Sequence, residues 1–579
     1  MHHCSKPSPV LLLLVGLLPV ISIACAQATT PPASTAVQAP KPTAAPSAPT
    51  AAPAAPTTAA AAQPRIERLV FSMPAPSTEG NDPGRDYSSP PSFQIRPMYE
   101  YLIGVDAATG KFVPQLALSW SVEPDGKSYR FKLRPGVQFH GGWGEMTARD
   151  VEFSFWNIMQ EDSQHGNSGY FRGLIDGIDI VNDYEIVVRL KRPDADFLNV
   201  SGELVSGVEI KSKANFDAEG RPSLSGKPTA GTGAYQFKER VQGSYIRFER
   251  VPYQHWRTTP EFPELELRWQ REASTRLASL QAGEVHITTL PQDLLVEASK
   301  QGMKALRGQT QSVRTFASFH CCYKSDPVDA SKGYMYPDSP LMDVSVRRAL
   351  NKAINRDEMN QAFFGGKAET MVLNHYNPTR LGWNPEWEAK FKDEYGYDPA
   401  KARALLAEAG YSTSRPLSTS LFMLKLADLP ESEDLAEAIA GYWRAIGVTP
   451  EQVTVDATQL RDRSMRLEYT NNVQVRSTSS HQLLGFRAYN TGVHGTRGSM
   501  VENYEVDALF NQVRVELDEA KQAELWRQLG DIAFPLHQDI PLFWLPTEAV
   551  VNPRVVGEYV FPGNISGTWT HLTGIKAAP

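Results

Sequence analysis

The stretch from residue 114 to residue 155, PQLALSWSVEPDGKSYRFKLRPGVQFHGGWGEMTARDVEFSF, raises the first question about this chain. From Phe139 onward it combines a histidine, close glycines, an indole and acids, residue types that occur in catalytic and phosphate-binding loops. A P-loop requires Lys after its last glycine, and a zinc-protease helix requires two spaced His residues; the stretch has neither. The glycines at 141–144 instead predict a turn, followed by a helix capped near Thr147 or Asp150. We therefore predict that this stretch is scaffolding.

The composition is that of a large globular protein. The chain has 579 residues, of which 41% are hydrophobic and 21% charged. At roughly 100–200 residues per domain, this length allows about three to five structural units with ample core. The net charge is −7 and no Lys/Arg-rich run is present, so the electrostatic footprint of a nucleic-acid-binding protein is missing. We expect no nucleic-acid partner.

The N-terminus has the pattern of an export signal. A short start containing Lys6 precedes an apolar run at 10–24, which is too short to span a bilayer of ~30 Å comfortably. We therefore predict a signal peptide over residues 1–24. Two processing sites are open: Ala24-Cys25-Ala26 fits ordinary signal peptidase, whereas the step into Cys25 resembles a bacterial lipobox, from which Ser22 departs.

The segment that follows favours the lipobox. Between Ala28 and Pro64 nearly every residue is Ala, Pro, Thr or Ser, a composition that buries no core. In an extended conformation this tether, residues 25–64, reaches on the order of 100 Å. A lipid on Cys25 together with such a spacer would anchor the protein to the outside of a cell membrane without spanning it.

Two cysteines remain once the leader and the lipidated residue are set aside. Cys321 and Cys322 are adjacent in sequence. Neighbouring cysteines rarely form a disulfide, because the bond distorts the peptide between them. His320 precedes them, but on an extended strand its side chain would point to the opposite face from Cys321. We expect two buried thiols, and neither a metal centre nor a cofactor.

The folded part alternates strand-like and helix-like segments. RIERLVFSM, SYRFKLRP and YEIVVRLKRP have the composition of strands. A helix is predicted from Asp343, as N-cap, to the stop at Gly365-Gly366, and another from Asp398 to Gly410. These patterns indicate the mixed α/β class.

The stretch at 114–155 resembles the signature of the family 5 extracellular solute-binding proteins, the oligopeptide, dipeptide and nickel receptors of bacterial ABC importers. Five further stretches match in order: PTAGTGAYQFKE…ERVPYQHW (228–256), STRLASLQAGEVHI (274–287), DVSVRRALNKAINRDEM (343–359), YDPAKARALLAEAGY (397–411) and AEAIAGYWRAIGV (436–448). One such string would be weak evidence, but six in order make the resemblance specific.

The resemblance implies a two-lobed periplasmic-binding-protein fold of the large peptide-receptor type. It implies lobe I at 65–315 with an extra subdomain over about 100–215, lobe II at 316–546, and a return to lobe I at 547–579. The ligand would be enclosed between the lobes. The implied function is an extracytoplasmic receptor, anchored to the membrane and monomeric, that hands a peptide or other small solute to an ABC permease.

The resemblance also directs attention to ligand-binding residues. The family's peptide receptors hold a peptide amino group with an Asp in a Trp-x-x-Asp-Tyr segment of lobe II; the corresponding VQVRSTSSHQLLGFRAYN has no Asp. The charge there is neutral to positive, so a cationic amine is not favoured. The candidate ligand-binding residues are Tyr87, Ser88, Ser89, Arg476, Ser479, His481 and Trp544.

Two other functional classes compete with the receptor. A lipid-anchored hydrolase would need a catalytic constellation that the sequence does not announce, since Gly-x-Ser-x-Gly and His-Glu-x-x-His are both absent. An extracellular interaction or chaperone-like module could use the same cleft. We therefore predict that the protein is not an enzyme.

Overall fold

The computed structural model describes most of the chain after residue 65. The described residues are 66–76, 79–82, 84, 94–205, 207–220, 226–426, 429–456, 459–460, 463–464, 466–478, 481–490, 501–561 and 571–579. The predicted signal peptide, the tether and Cys25 lie outside them.

The strands are numbered in chain order. They are β1 (Arg68–Met73), β2 (Ile103–Val105), β3 (Phe112–Pro114), β4 (Ala117–Val122), β5 (Ser128–Leu133), β6 (Ile175–Asn182), β7 (Glu185–Leu190), β8 (Tyr235–Val241), β9 (Tyr245–Arg250), β10 (Glu264–Trp269), β11 (Ile287–Thr288), β12 (Lys304–His320), β13 (Glu369–Thr370), β14 (Ser418–Met423), β15 (Thr449–Thr454), β16 (Asn472–Thr478), β17 (Asp539–Val551), β18 (Val556–Glu558) and β19 (Lys576–Ala577).

The helices are numbered in the same way. They are α1 (Ala148–Ile158), α2 (Ser168–Leu174), α3 (Phe197–Ser201), α4 (Lys213–Glu219), α5 (Ala273–Ala282), α6 (Gln292–Lys300), α7 (Val344–Lys352), α8 (Arg356–Phe364), α9 (Pro385–Tyr395), α10 (Pro399–Glu408), α11 (Ser432–Ala445), α12 (Gln482–Asn490), α13 (Tyr504–Val513) and α14 (Glu519–Ala533).

One large sheet runs through the protein, in the order β15-β14-β16-β12-β17-β11-β1-β10-β9-β8, with β13 paired to β17. β1 is parallel to β10 and β11, and β14 is parallel to β15 and β16. Between these two groups, β12 and β17 are antiparallel to each other over most of their length. Only these two long strands carry the chain across the middle of the sheet within the described residues.

The hydrophobic cores separate on either side of β12 and β17. In the N-terminal lobe one core surrounds β1, β9 and β10, and a second lies under the sheet β4-β5-β7-β6. In the C-terminal lobe one core lies between β14, β16 and helices α7, α10 and α11, and another joins aromatic residues of α9, α13 and α14. The protein therefore has the predicted two-lobed α/β architecture.

The stretch from Phe139 to Phe155 is structural. His140 is buried, and its Nε2 donates a hydrogen bond to Gly233 O at 2.7 Å. Burial lowers the pKa of His140 to about 4, so the ring is neutral. α1 begins after Thr147, and Asp150 Oδ2 accepts a bond from Thr147 N at 2.9 Å. The predicted turn and capped helix are confirmed.

The prediction of two thiols at Cys321 and Cys322 is wrong, because these residues form a disulfide with an S–S distance of 2.02 Å. That prediction rested on the distortion that a disulfide between neighbours causes in the intervening peptide. The strand that was expected to continue through the cysteines ends at His320, the last residue of β12. Cys322 then adopts a left-handed backbone with φ 59°, which turns the chain out of the strand. The disulfide is buried, and Leu341 O lies 3.3 Å from Cys322 Sγ.

The helix predicted from Asp343 to Gly365 is interrupted. Asp343 caps α7 as expected, accepting a bond from Ser345 N at 2.7 Å. α7 ends at Lys352, and Asn355, whose side chain accepts from Glu358 N, then starts α8. Asn at such a position competes with the helix by bonding its own backbone, which explains the break.

No helix among the described residues is both long enough and apolar enough to cross a membrane.

Gly233 provides a test of how tightly the N-terminal lobe is packed. A Cβ at this position would lie 2.5 Å from Pro97 O, so we expect Gly233→Ala to destabilise the protein by about 1–3 kcal/mol in denaturant unfolding. Gly441, exposed within α11, has open space around it. The control Gly441→Ala should therefore stabilise by about 0.5–1 kcal/mol. Equal stability of Gly233→Ala and the parent would contradict the close approach of this backbone to Pro97.

Candidate functional site

Three adjacent strands bring predicted and unpredicted residues onto one face of the sheet. Arg314 on β12 is opposite Trp544 on β17 and opposite Thr478 on β16. Residues directly opposite each other in a ladder point to the same face, and residues two apart on one strand do so as well. Arg476, two residues before Thr478, therefore shares this face. These residues lie where β12 and β17 carry the chain from one lobe to the other.

Arg314 is the centre of a buried polar cluster. It is fully buried, and its Nη1 donates to Asn374 Oδ1 at 2.7 Å. The same nitrogen lies 2.5 Å from His375 Nδ1. Asn374 Nδ2 in turn donates to Asp539 Oδ2 at 2.6 Å. The cluster thus connects β12, β17 and the residues that follow β13.

The protonation of His375 follows from its surroundings. Burial, and then the charge of Arg314, lower its pKa well below the usual range, so the ring is neutral. Its Nε2 lies 2.7 Å from Asn490 Oδ1, an acceptor, while Nδ1 faces the Arg314 donor. The proton is therefore on Nε2, and His375 accepts from Arg314.

Asp539 carries the carboxylate of this cluster. Burial raises its pKa to about 6, although the bond from Asn374 and the charge of Arg314 act in the opposite direction. The side chain therefore titrates near neutral pH. A carboxyl that is buried beside two or more guanidinium groups is a common feature of functional sites and also of structural ion-pair networks.

A second arginine lies against the predicted indole. The guanidinium of Arg380 lies 4.7 Å from the centre of the Trp544 ring, within the range of a cation–π interaction. Trp544 itself is buried on β17. Its indole therefore forms a wall beside the cluster, in contact with a positive charge.

Arg476 is held by its neighbouring strand. Its Nε donates to Ser318 Oγ at 2.9 Å, and its Nη2 lies 3.4 Å from His320 Nε2. Burial and the charge of Arg476 lower the pKa of His320 to about 3. The arginine is half-buried, and its orientation is fixed by β12.

His481 is directed toward the other lobe. It precedes α12, and its Nδ1 lies 3.5 Å from Asp196 Oδ1, which comes from the segment between β7 and α3. The sequence segment around His481 has no acid of its own, but the fold brings one to it. The segment itself is neutral to positive, as expected, but the prediction did not include the negative charge that Asp196 brings from the other lobe.

The remaining candidate residues Tyr87, Ser88, Ser89 and Ser479 lie outside the described residues. The structure thus brings Arg476 and Trp544 to one face and directs His481 to a separate contact. Sequence reasoning missed Arg314, Asn374, His375, Arg380 and Asp539. Five polar residues besides Tyr376 in the seven-residue run NHYNPTR (374–380) were a signal that was available. The described residues contain no group of three or more acidic, His or Cys side chains placed to bind a metal ion.

Residues 111–485 match the model of the bacterial extracellular solute-binding proteins, family 5 middle. The chain belongs to this family. The family assignment agrees with the collinear sequence stretches, which begin at Pro114.

Two curated proteins illustrate the range of relatives of this family 5 protein. It is 30% identical to the dipeptide-binding protein of Escherichia coli (strain K12) over 380 residues, which are 62% of this chain and 66% of the relative. It is 26% identical to heme-binding protein A of Haemophilus influenzae over 487 residues, which are 79% of this chain and 84% of the relative. The chain thus spans about two thirds of the first of these proteins.

The fold has solved counterparts. The Helicobacter pylori periplasmic binding protein DppA, in complex with the peptide STSA, superposes with a TM-score of 0.69 at 21% identity, covering 87% of this chain and 98% of that one. This similarity establishes the periplasmic-binding-protein fold.

The Asp539 carboxyl gives a prediction about pH. Because its pKa is raised in the folded protein, the folded state holds a proton that the unfolded state releases. The free energy of unfolding of the parent, relative to Asp539→Asn, should rise by roughly 2–3 kcal/mol as the pH falls from 8 to 4. Denaturant unfolding at several pH values measures this.

The matched control is Asn374→Ala, which removes a neighbour and keeps the carboxyl. Since the Asn374 bond lowers the pKa of Asp539, this variant should retain the pH dependence and shift it to higher pH. A constant difference between the parent and Asp539→Asn at all pH values would refute the assignment.

Proposed function

We propose that this protein captures a small, peptide-like solute between its two lobes and delivers it to the permease of an ABC importer, without chemical turnover. The observation that carries the proposal is the polar face around Arg314, Arg476 and Trp544, which lies at the crossing between the lobes of a family 5 chain. Clefts that hold small solutes combine an aromatic wall with a few oriented polar groups. Lobe closure around the solute would complete the site.

The proposed ligand is neutral or anionic. The segment in which peptide receptors of this family hold an amino group has no Asp, and it contributes Arg476 instead. Arg314 and Arg380 bring two more guanidinium groups close to Trp544. A guanidinium presents a planar fork of donors that fits a carboxylate. Blocked or modified peptides, sugar-like molecules and carboxylate-bearing metabolites fit this chemistry.

The rest of the site is proposed from the resemblance. Tyr87, Ser88 and Ser89 would meet the ligand from lobe I, and Ser479 and His481 would meet it from lobe II. The lobes would comprise 65–315 with 547–579, and 316–546, and the predicted boundary at 315/316 falls within β12. The protein would act as a monomer.

The ligand class can be tested directly. Native mass spectrometry of protein purified without refolding should identify a co-purifying solute that is not cleaved. Calorimetry with trialanine and N-acetyl-trialanine should then show tighter binding of the acetylated peptide by at least ~10-fold, since the lobe II segment offers an ammonium no carboxylate of its own and Asp196 already faces His481 and Arg487. Tight binding of trialanine that is lost on acetylation would overturn the ligand class, and hydrolysis would overturn the receptor.

A pair of arginine variants locates the site. Arg476→Met should weaken binding of N-acetyl-trialanine by roughly 10-fold or more, because it removes a charged donor. Arg403 is exposed on α10 and donates to Ala445 O at 3.2 Å. Arg403→Met should leave the affinity unchanged. Equal affinities of all three proteins would place the ligand elsewhere.

We also propose that Cys25 is lipidated and that the tether holds the receptor outside the cell membrane. In a bacterium that processes lipoproteins, Cys25→Ser should move the protein from the membrane fraction to the soluble fraction. Cys4→Ser, which changes a cysteine within the leader, should remain in the membrane fraction. Membrane retention of Cys25→Ser would leave ordinary signal-peptide cleavage as the explanation.

A further inference from the structure

The segment from Asp194 to Asp196 makes a direct contact between the lobes. It connects β7 to α3 in the N-terminal lobe. Its central residue, Ala195, donates a backbone hydrogen bond to Arg514 O at 2.8 Å, just after the end of α13 in the C-terminal lobe. The Ala195 side chain packs against the aromatic core of that lobe. Leu484 of α12 packs in the opposite direction, against the core of the N-terminal lobe.

The first carboxylate faces α12. Asp196 is 3% exposed, and its Oδ1 lies 3.5 Å from His481 Nδ1. Its Oδ2 lies 4.0 Å from Arg487 Nη1 and has no hydrogen-bond donor among the described residues. His481 immediately precedes α12, so the carboxylate lies near the positive end of that helix, where a negative charge is stabilised.

The second carboxylate faces α13. Asp194 is also 3% exposed; its Oδ1 accepts from Tyr170 OH at 2.8 Å, and its Oδ2 lies 4.0 Å from Arg514 Nη2. The ring of Tyr170 is covered in turn by Arg487 of α12, with the guanidinium 4.8 Å from the ring centre. Arg487 of the C-terminal lobe therefore lies near Asp196 itself and covers Tyr170, the hydrogen-bond partner of Asp194.

These contacts have a common dependence on closure. The contacts of residues 194–196 with His481, Arg487 and Arg514 join the two lobes, so rotation of the lobes about β12 and β17 would separate them together. The bond from Tyr170 to Asp194 stays within the N-terminal lobe. The two acids would then gain water on the side that faced α12 and α13, while Asp194 keeps Tyr170 and Asp196 keeps Asn199 as partners within their own lobe. In partly buried ion pairs of this kind, the attraction between the charges is offset by the cost of removing them from water. Their net contribution to the stability of the closed state is therefore small and easily changed.

We propose that residues 194–196 form a latch, which docks on His481, Arg487 and Arg514 when the lobes are closed and thereby sets the closed fraction of the ligand-free protein. The latch rests on the proposed solute capture by lobe closure. A receptor's apparent affinity is its intrinsic affinity scaled by the fraction in the competent state. The latch therefore tunes affinity through contacts that join the two lobes.

Hydrogen exchange of the full protein without ligand tests the latch. The Ala195 amide should be protected in the parent and exchange at least ~10-fold faster in Asp196→Asn and in Arg514→Gln, which remove one charge from each side. Asp179 is an acid on β6 with 51% side-chain exposure that pairs with Arg189 inside one lobe. Asp179→Asn should leave Ala195 protection unchanged.

Small-angle scattering of the same ligand-free samples should show a larger radius of gyration for the two latch variants. Amides of β5 and β7 report on the folding of the N-terminal lobe itself. Unchanged Ala195 protection in both variants, or faster exchange that extends to β5 and β7, would overturn the latch. Because neither measurement uses a solute, failure of the latch is distinguishable from failure of the proposed solute capture, which only the peptide titrations test.

Discussion

The ladder between β12 and β17 is the constraint on which the rest of the structure depends. It runs antiparallel from Lys304 opposite Val551 to Ser318 opposite Asp539. At one end β17 pairs with β11 of the N-terminal lobe, and at the other β12 pairs with β16 of the C-terminal lobe. Buried backbone groups have to be paired, so these strands cannot separate without great cost. The register shifts along the ladder, one of them between Thr315 and Phe316, are the points at which the strands can bend.

This ladder also explains why charged groups are buried in the middle of the protein. Arg314 and Asp539 lie on the two crossing strands, so they are enclosed as soon as both lobes pack around the sheet. Buried charges are tolerated only with bonding partners, and Asn374 and His375 supply them to both strands. Such a network orients side chains rigidly, which a receptor needs at the place where its lobes meet. The same burial holds His375 neutral and brings the pKa of Asp539 close to neutral pH.

The sequence predictions were confirmed where the structure depends on a visible interaction between residues close in the chain. They failed where the surrounding pattern or a general rule pointed the other way. Asp343 and Asp398 cap their helices by bonding amides only two or three residues away, so their roles are visible in the sequence. Asn355 uses the same local chemistry to start α8 just after α7 ends, and the apolar pattern across it concealed the break. The prediction for the cysteine pair failed because it applied the general rule against disulfides between neighbouring residues, and this pair is an exception to that rule.

The sequence by itself determined the class and the family, because ordered motifs, caps and apolar periodicity are local properties. It also indicated Arg476 and Trp544, since their places along the chain match the family. Only the tertiary structure decided which residues stand beside them. Arg314 is opposite Trp544 because of the register in which β12 and β17 pair at that point, although the two residues are far apart in the chain. In the same way, Asp196 reaches His481 only because the lobes pack against each other, and long-range packing of that kind leaves no periodicity in the sequence.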